Sequence, residues 1–246
     1  IKYSTWIYDD NTYVWRTVPY YWYDGLTGAT TVADGDEANT AVNLPFEFTF
    51  YGITYSSMYI CSNGYISFVD KIVYTNEEIR NSPNLHNFIA PLWDDLNPTE
   101  AGSGKIYFKT EPGRVIVTFN GVEKFNSPPV RDPQTFQLIL NEDNSITINY
   151  KELTGNATNE CTVGVENASG NIGTQYRYNT TGELLYNGLS ITFFNGIDFS
   201  TATLWKDALV VSGPFGSAES EAVTGLSPDT TYYFVIATSD ERPNTS

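Results

Sequence analysis

Short runs of alternating apolar and polar residues recur along nearly the whole chain, and helical periodicity is almost absent. Such runs, bounded by Gly, Pro, Asn and Asp, are typical of antiparallel strands joined by tight turns. In one run Phe46, Phe48 and Phe50 alternate with Glu47 and Thr49, which predicts a strand with one apolar and one polar face. The sequence therefore predicts an all-β fold made of antiparallel β-sandwich modules.

Charge and composition restrict the classes of partner. The formal net charge is -16, so the chain repels nucleic acid and anionic lipid, and we expect neither as a partner. No apolar run approaches the roughly 20 residues of a membrane-spanning helix, so membrane insertion is not expected either. Only 17% of the residues are charged, while Thr, Asn, Gly and Tyr are plentiful, which favours an extracellular location.

Residues 1–43 are rich in aromatic side chains. The stretch "STWIYDDNTYVWRTV" predicts a hairpin that turns at Asp10-Asn11 and places its aromatic residues on one face. One interpretation makes these rings a core or a seam between domains, and the other makes them a surface that stacks on sugars or binds a partner chain. The aromatic residues concerned are Trp6, Tyr8, Tyr13, Trp15, Tyr20, Tyr21, Trp22 and Tyr23.

Residues 44–194 carry a series of short motifs in a fixed order. These are "LPFEFTFYG", "SNGYISF", "IAPLWDDL", "GKIYF", "TFQLIL" and "TVGVEN". The series resembles the nidogen-like extracellular module of animal matrix proteins and microbial surface proteins. The resemblance implies an antiparallel β module at a cell surface or in matrix, and it implies no enzymatic activity.

Residues 195–246 carry a different sequence pattern. The stretch "VTGLSPDTTYYFVIATSDERPN" resembles the end of a fibronectin type III domain, with Leu226, Pro228, Thr230, Tyr232, Phe234 and Ile236 at its alternating positions. The resemblance implies that Tyr232 is the tyrosine-corner residue. Such a domain has about seven strands, and here its first two strands and its last have no evident sequence. Three explanations are open: the chain is a fragment, its own aromatic segment completes the sheet, or a strand from another copy does so.

The stretch "FIAPLWDD" places Trp93 beside Asp94 and Asp95, with the single histidine, His86, just upstream. On an extended backbone the two neighbouring carboxylates point to opposite faces, whereas a glycosidase needs two that converge on one bond. His86 lies in a loop without a nucleophile motif nearby. We therefore expect no catalytic residues here.

Two acidic groups are candidates for calcium. Asp34, Asp36 and Glu37 cluster around Gly35 in "VADGDEAN", and Asp94 with Asp95 forms a second pair. Carboxylate oxygens are the ligands that Ca²⁺ takes, although the full EF-hand loop is missing. Solvated loop acids remain the alternative interpretation. No other cofactor is expected.

The cysteines and the Asn-x-Ser/Thr sequons complete the list of candidate sites. Cys61 and Cys161 are expected to form a disulfide if the protein is secreted, and to be two buried thiols otherwise. The sequons predict sites of N-glycosylation if the source cell modifies secreted proteins. They begin at Asn156, Asn167, Asn179 and Asn244.

These observations favour a non-catalytic extracellular adhesive protein, most specifically the subunit of a cell-surface filament. The subunits would form a homopolymer by strand complementation, with residues 1–7 or 20–23 as donor strand and the edge beside residues 232–237 as acceptor. The alternative is a carbohydrate-binding module that binds a polysaccharide. A hydrolase acting through Asp94 or Asp95 is the third class.

Overall fold

The computed structural model describes residues 2–8, 13–125, 131–195, 203–206 and 233–239. These residues belong to two compact units. The larger unit runs from residue 12 to residue 195, and the smaller unit combines residues 1–11 with residues 196–246. The two ends of the chain thus belong to one unit. The division after residue 195 lies one residue from the predicted boundary after residue 194, whereas the predicted boundary after residue 43 falls inside the larger unit.

Fifteen strands make up the described part of the larger unit, with one short 3-10 helix at Ala157–Asn159. The strands are β2 (Tyr13–Thr17), β3 (Thr30–Val32), β4 (Asn39–Phe50), β5 (Ile53–Cys61), β6 (Tyr65–Ser67), β7 (Phe88–Trp93), β8 (Leu96–Asn97), β9 (Lys105–Glu111), β10 (Arg114–Lys124), β11 (Gln134–Asn141), β12 (Ile146–Glu152), β13 (Thr162–Glu166), β14 (Gly173–Tyr178), β15 (Thr181–Gly182) and β16 (Ser190–Asn195).

These strands form two antiparallel sheets. The first has the order β2-β16-β12-β11-β10-β9-β3, with β8 paired to β10, and the second has the order β15-β14-β13-β7-β6-β5-β4. One continuous core contains residues from both sheets, such as Val117 and Leu138 from the first and Phe48 and Ile89 from the second. The larger unit is therefore an all-β antiparallel sandwich, as the sequence predicts.

Predictions that depend on a single strand or a single turn are confirmed. Phe48 and Phe50 in β4 are buried, while Glu47 on the opposite face is exposed. Between β11 and β12 the chain turns at Asn141, where the backbone N–H of Asn144 donates to the carbonyl of Asn141 at 2.9 Å. Side-chain alternation and turn residues are local signals, so the strand faces and turns that they predict agree with the structure.

The predicted N-terminal hairpin is wrong. Strand β2 pairs with β16, where Trp15 lies opposite Phe193, and does not pair with the strand that contains Trp6. Tyr13 is buried, with its ring 5.3 Å from that of Phe50. Trp15 packs edge-on against Tyr176 at 4.8 Å. Tyr13 and Trp15 therefore belong to the core of the sandwich, which corrects their assignment to an interaction surface.

The smaller unit contains a three-stranded sheet built from both ends of the chain. Its order is β17-β1-β18, with β1 at Lys2–Tyr8, β17 at Thr203–Lys206 and β18 at Tyr233–Ser239. Strand β1 contains Trp6 and Tyr8, and its backbone pairs with β17 on one side and with β18 on the other. The fibronectin-like positions Leu226, Pro228, Thr230 and Tyr232 lie outside the described residues.

Among the described residues, no helix has the length and apolar character needed to cross a membrane.

Candidate functional site

Three connections between strands meet at one end of the sandwich. They are residues 33–38 before β4, residues 62–64 between β5 and β6, and residues 94–95 between β7 and β8. The backbone N–H of Ala38 donates to Ser62 Oγ at 3.0 Å, and that of Asp94 donates to the carbonyl of Asn63 at 3.2 Å. The 62–64 turn is thus bonded to both of the other connections.

Gly64 makes this close approach possible. Its φ is +77°, and a Cβ at this position would overlap the carbonyl of Leu92. A glycine adopts this left-handed conformation without steric penalty and leaves room for the neighbouring backbone. The Asn63-Gly64 pair therefore both turns the chain and brings the turn against the end of β7.

Three carboxylates converge where these connections meet. Asp36, Glu37 and Asp95 each offer an oxygen, and these oxygens lie within 4.8 Å of one another. Burial raises the pKa of Asp95 the most, and the negative charges of Glu37 and Asp36 raise it further. We call this group, Asp36, Glu37 and Asp95, the carboxylate cluster. Like charges held this close repel one another, so the cluster favours a bound cation or a proton.

The other two acids of the predicted calcium groups lie elsewhere. Asp34 pairs with Lys105 at 2.5 Å. Asp94 pairs with Lys124 at 2.7 Å and is largely buried; this burial raises its pKa, while the Lys124 ammonium opposes the rise. Asp94 and Asp95 thus point to different partners, as expected for neighbours on an extended backbone. The fold therefore brings Asp36 and Glu37 of the first predicted group together with Asp95 of the second, while Asp34 and Asp94 pair with lysines.

Sequence reasoning missed Asn63, which lies between the acids. Its side chain is completely buried, and its Oδ1 has no hydrogen-bond partner among the described residues. The amide interacts with the carboxylate of Glu37 and lowers its pKa, against a larger rise caused by burial. The "SNGY" stretch signals a turn between two strands, but nothing in it signals where the Asn63 side chain points.

Trp93 and His86 do not join the carboxylate cluster. Trp93 is fully buried and its Nε1 donates to the carbonyl of Val73 at 3.0 Å, so its ring is not available to a sugar. His86 Nδ1 lies 2.8 Å from Glu166 Oε1, and the backbone N–H of Arg80 donates to the other oxygen of that carboxylate. This pair occupies the turn region beside β13 and holds the loop before β7 to it.

Residues 18–25, which we call the aromatic strap, run from β16 onto β11 of the first sheet. The backbone N–H of Val18 donates to the carbonyl of Ser190 at 3.0 Å. Further along, Tyr23 exchanges two hydrogen bonds with the buried amide of Gln137, at 3.2 and 2.9 Å. Polar side chains on this face are therefore satisfied by the backbone of the strap.

The rings of the aromatic strap divide into covered and exposed. Lys151 lies 5.2 Å from the ring centroid of Trp22, and Arg114 lies 4.7 Å from that of Tyr23, so both rings take part in cation–π contacts. The exposed rings are Tyr20, 38% exposed, and Tyr21, 63% exposed. In the aromatic strap, the predicted stacking surface therefore consists of Tyr20 and Tyr21, with the uncovered ring faces of Trp22 and Tyr23.

The predicted disulfide between Cys61 and Cys161 does not form, and both thiols are free and buried. Cys61 ends β5 and Cys161 immediately precedes β13, while β6 and β7 lie between those strands. Three inter-strand steps of about 4.8 Å give roughly 14 Å, twice the reach of a disulfide. A separation of 100 residues in sequence carries no information on this spacing.

The asparagines of the sequons differ in whether their side-chain amides are exposed or already hydrogen-bonded. Asn156 is exposed and its side chain makes no capping bond to the adjacent 3-10 helix. The amide of Asn167 donates to Ser169 and Asn171, and that of Asn179 accepts from Asn76 at 2.9 Å. Asn244 lies outside the described residues. Asn156 is therefore the most accessible of the described acceptors.

A family comparison agrees with the architecture. The sequence model of one family, described as NIDO related, matches residues 12–196, which covers three quarters of the chain and coincides with the larger unit. No curated protein and no solved structure gives a significant match. The match supports the nidogen-like module, and it indicates an extracellular module of the adhesive type. The chain belongs to the NIDO-related family.

Proposed function

We propose that this protein is a non-catalytic extracellular adhesive subunit that assembles into a filament at the cell surface by exchanging strand β1 between copies. The observation that supports it is the position of β1 in the smaller unit. This strand comes from the N-terminus and pairs on both sides with strands from the last 50 residues of the chain.

Strand β1 is the middle strand of its sheet. Seven residue pairs join it to β18, from Lys2 opposite Ser239 to Tyr8 opposite Tyr233, and its other edge pairs with β17. Without β1, both neighbours would expose unpaired N–H and C=O groups along a gap one strand wide. The described strands β17 and β18 therefore depend on β1, from the other end of the sequence, to pair their facing edges.

A second copy of the chain carries the same strand. Exchange of an identical element replaces each contact within a chain by the same contact between chains, so the energetic penalty is small. Donor and acceptor are different surfaces, so the contact is head-to-tail and extends into a filament unless it closes into a ring. Pairing within one chain does not depend on the protein concentration, so the closed monomer is favoured in dilute solution.

Cross-linking between two single variants tests the exchange. Ser4 and Ala237 are opposite each other in the β1–β18 pair. Ser4→Cys protein and Ala237→Cys protein are mixed, partly unfolded in denaturant, refolded at high concentration and run on a non-reducing gel. We expect a disulfide-linked dimer, while the double variant should give chains closed within themselves in dilute solution.

The control mixture pairs Ser4→Cys with Asp143→Cys, which lies on an exposed turn of the larger unit. Exchange predicts far more dimer in the Ser4→Cys/Ala237→Cys mixture than in this control. Equal amounts in the two mixtures, together with the absence of filaments of wild-type protein in electron micrographs, would contradict the proposal.

Polysaccharide binding is the second candidate, and the exposed ring of Tyr21 favours it. This ring packs edge-on against Tyr23 at 4.7 Å, which holds it rigid at the surface. Tyrosine faces stack on sugars because the ring is apolar and its hydroxyl stays hydrated. Retardation of wild-type protein in polysaccharide-containing native gels, lost in Tyr21→Ala but kept in Tyr186→Ala, would favour this function; Tyr186 is similarly exposed elsewhere on the sandwich.

A further inference from the structure

We infer that Asp36, Glu37 and Asp95, together with the side-chain oxygen of Asn63, form a binding site for Ca²⁺. This inference goes beyond the proposed assembly and does not depend on it, because all four residues belong to the larger unit. Acidic side chains alone would not identify such a site, since exposed carboxylates are common without an ion. Two further features of this end of the sandwich do so.

The buried amide of Asn63 is the first feature. A completely buried amide oxygen without a hydrogen-bond partner is rare in folded proteins, because leaving such an atom unpaired is unfavourable. Asn63 is held between the two acidic connections, with its carbonyl bonded to the N–H of Asp94 and its side chain acting on Glu37. A cation coordinated by Oδ1 would satisfy the unpaired acceptor, and Nδ2 would remain free to face a carboxylate.

The spacing of the carboxylates is the second feature. Calcium binds oxygens at 2.3–2.6 Å, so two ligands on opposite sides of the ion lie about 4.8 Å apart. The oxygens of Asp36, Glu37 and Asp95 fit within that span without rearrangement. Magnesium demands near-ideal octahedral geometry at 2.0–2.1 Å and usually keeps several waters, so it is seldom held by a set of protein ligands alone. A site with three carboxylates and one amide oxygen is therefore of the kind that calcium, with its flexible coordination, takes more readily.

The charges point to the same occupant. One oxygen of Asp95, Oδ1, is buried without a hydrogen-bond partner, whereas the side chains of Asp36 and Glu37 are exposed and give an ion access. Two lysines that pair with neighbouring acids are already engaged, Lys105 by Asp34 and Lys124 by Asp94 and Glu160, and the charge of Lys124 offsets only part of the rise in the pKa of Asp95. Three carboxylates, one amide oxygen and water can supply the six to eight oxygens that Ca²⁺ requires.

Calorimetric titration of CaCl₂ into the metal-free full chain, with thermal unfolding in parallel, tests the inference. We expect a dissociation constant of about 10⁻⁴–10⁻³ M, the range of extracellular modules. Ten millimolar Ca²⁺ should then raise the melting temperature of the larger unit by roughly 3–8 °C. An equal concentration of Mg²⁺ should raise it much less.

Asp95→Asn and Asp36→Asn should each weaken Ca²⁺ binding at least tenfold, and Asn63→Ala should weaken it as well. The matched control is Asp34→Asn, which removes one charge from the same loop but from a carboxylate that pairs with Lys105, so its calcium response should match wild type. The amide variants relieve repulsion, so we expect them to fold. No heat and no shift for wild type, an equal response to Mg²⁺, or a calcium response that persists in Asp95→Asn would each overturn the inference.

Discussion

At the scale of single residues, burial governs the chemistry of the two cysteines. Burial raises the pKa of the Cys61 thiol to about 11 and that of Cys161 to about 12, so neither forms the reactive thiolate near neutral pH. We expect a thiol reagent to label the native protein negligibly within minutes and to label both cysteines after unfolding without reductant. Fewer than two thiols in the unfolded, non-reduced chain would show that a disulfide is present after all.

The candidate site shows what a sequence can reveal about single residues. Asp36 and Glu37 are adjacent, so their shared charge is evident from the sequence. Asp95 joins them only because β7 ends beside the turn at Asn63, and that placement depends on the pairing of β5, β6 and β7. Asp34 leaves the group because Lys105 binds it; this lysine is 71 residues further along the chain, on β9, which pairs with β3. Residue type predicted the ligand chemistry, but only the register of the sheet selects which acids meet.

At the scale of elements, the pairing of strands was the hardest property to predict. The stretch around Asp10-Asn11 satisfies the local rules for a hairpin, yet β1 and β2 pair with β18 and β16, about 230 and 180 residues away in sequence. Alternation identifies a strand and its buried face but leaves its partner open, since every neighbouring strand offers the same backbone groups. The individual strands and turns could therefore be read from the sequence, whereas the sheet order could not.

A proline in the middle of β1 should disrupt the small sheet. Thr5 lies opposite both Lys206 and Ile236, so Thr5→Pro removes an N–H from a strand that is paired on both sides. We expect hydrogen-exchange protection of residues 233–239 to fall roughly tenfold or more. Lys2→Pro, at the first residue of β1, is the control and should leave most of this protection. Unchanged protection in Thr5→Pro would contradict the observed pairing.

The aromatic strap depends on Gly25 for its close approach to the sheet. A Cβ at this position would overlap Thr118 Oγ1 and lie 2.9 Å from Gln137 Nε2. Gly25→Ala should therefore lower the free energy of unfolding by about 1–3 kcal/mol, as overpacking usually does. Tyr21→Ala, in the same segment but exposed, should change it by less than about 0.5 kcal/mol. Urea denaturation of the two variants measures the difference, and equal stability would mean that the strap does not lie on this face.

At the scale of the whole molecule, the net charge of -16 makes the metal-free protein sensitive to pH. Burial, followed by the neighbouring carboxylates, raises the pKa of Asp95, and burial raises that of Glu37. A carboxyl whose pKa is higher in the folded state than in the unfolded state binds its proton more tightly when folded. Its ionised form therefore destabilises the fold, and this destabilisation disappears as pH falls through the raised pKa.

We therefore expect the metal-free protein to become more stable between pH 7 and pH 5. Hydrogen bonds donated mainly by Thr27 and also by the backbone N–H of Leu26 lower the pKa of Asp24 to about 2, so this carboxyl contributes the opposite trend only below pH 4. Protonation elsewhere on an acidic surface acts in the same direction, so the contribution of the cluster has to be isolated. Urea unfolding at both pH values should show a smaller gain in Asp95→Asn than in Asp34→Asn. Both variants lose one charge, but only Asp95 belongs to the carboxylate cluster, where burial raises its pKa. Saturating Ca²⁺ should shrink the wild-type gain, since protons and the ion compete for the same oxygens. Identical gains in the two variants would place the pH dependence on the general surface charge and not on the carboxylate cluster.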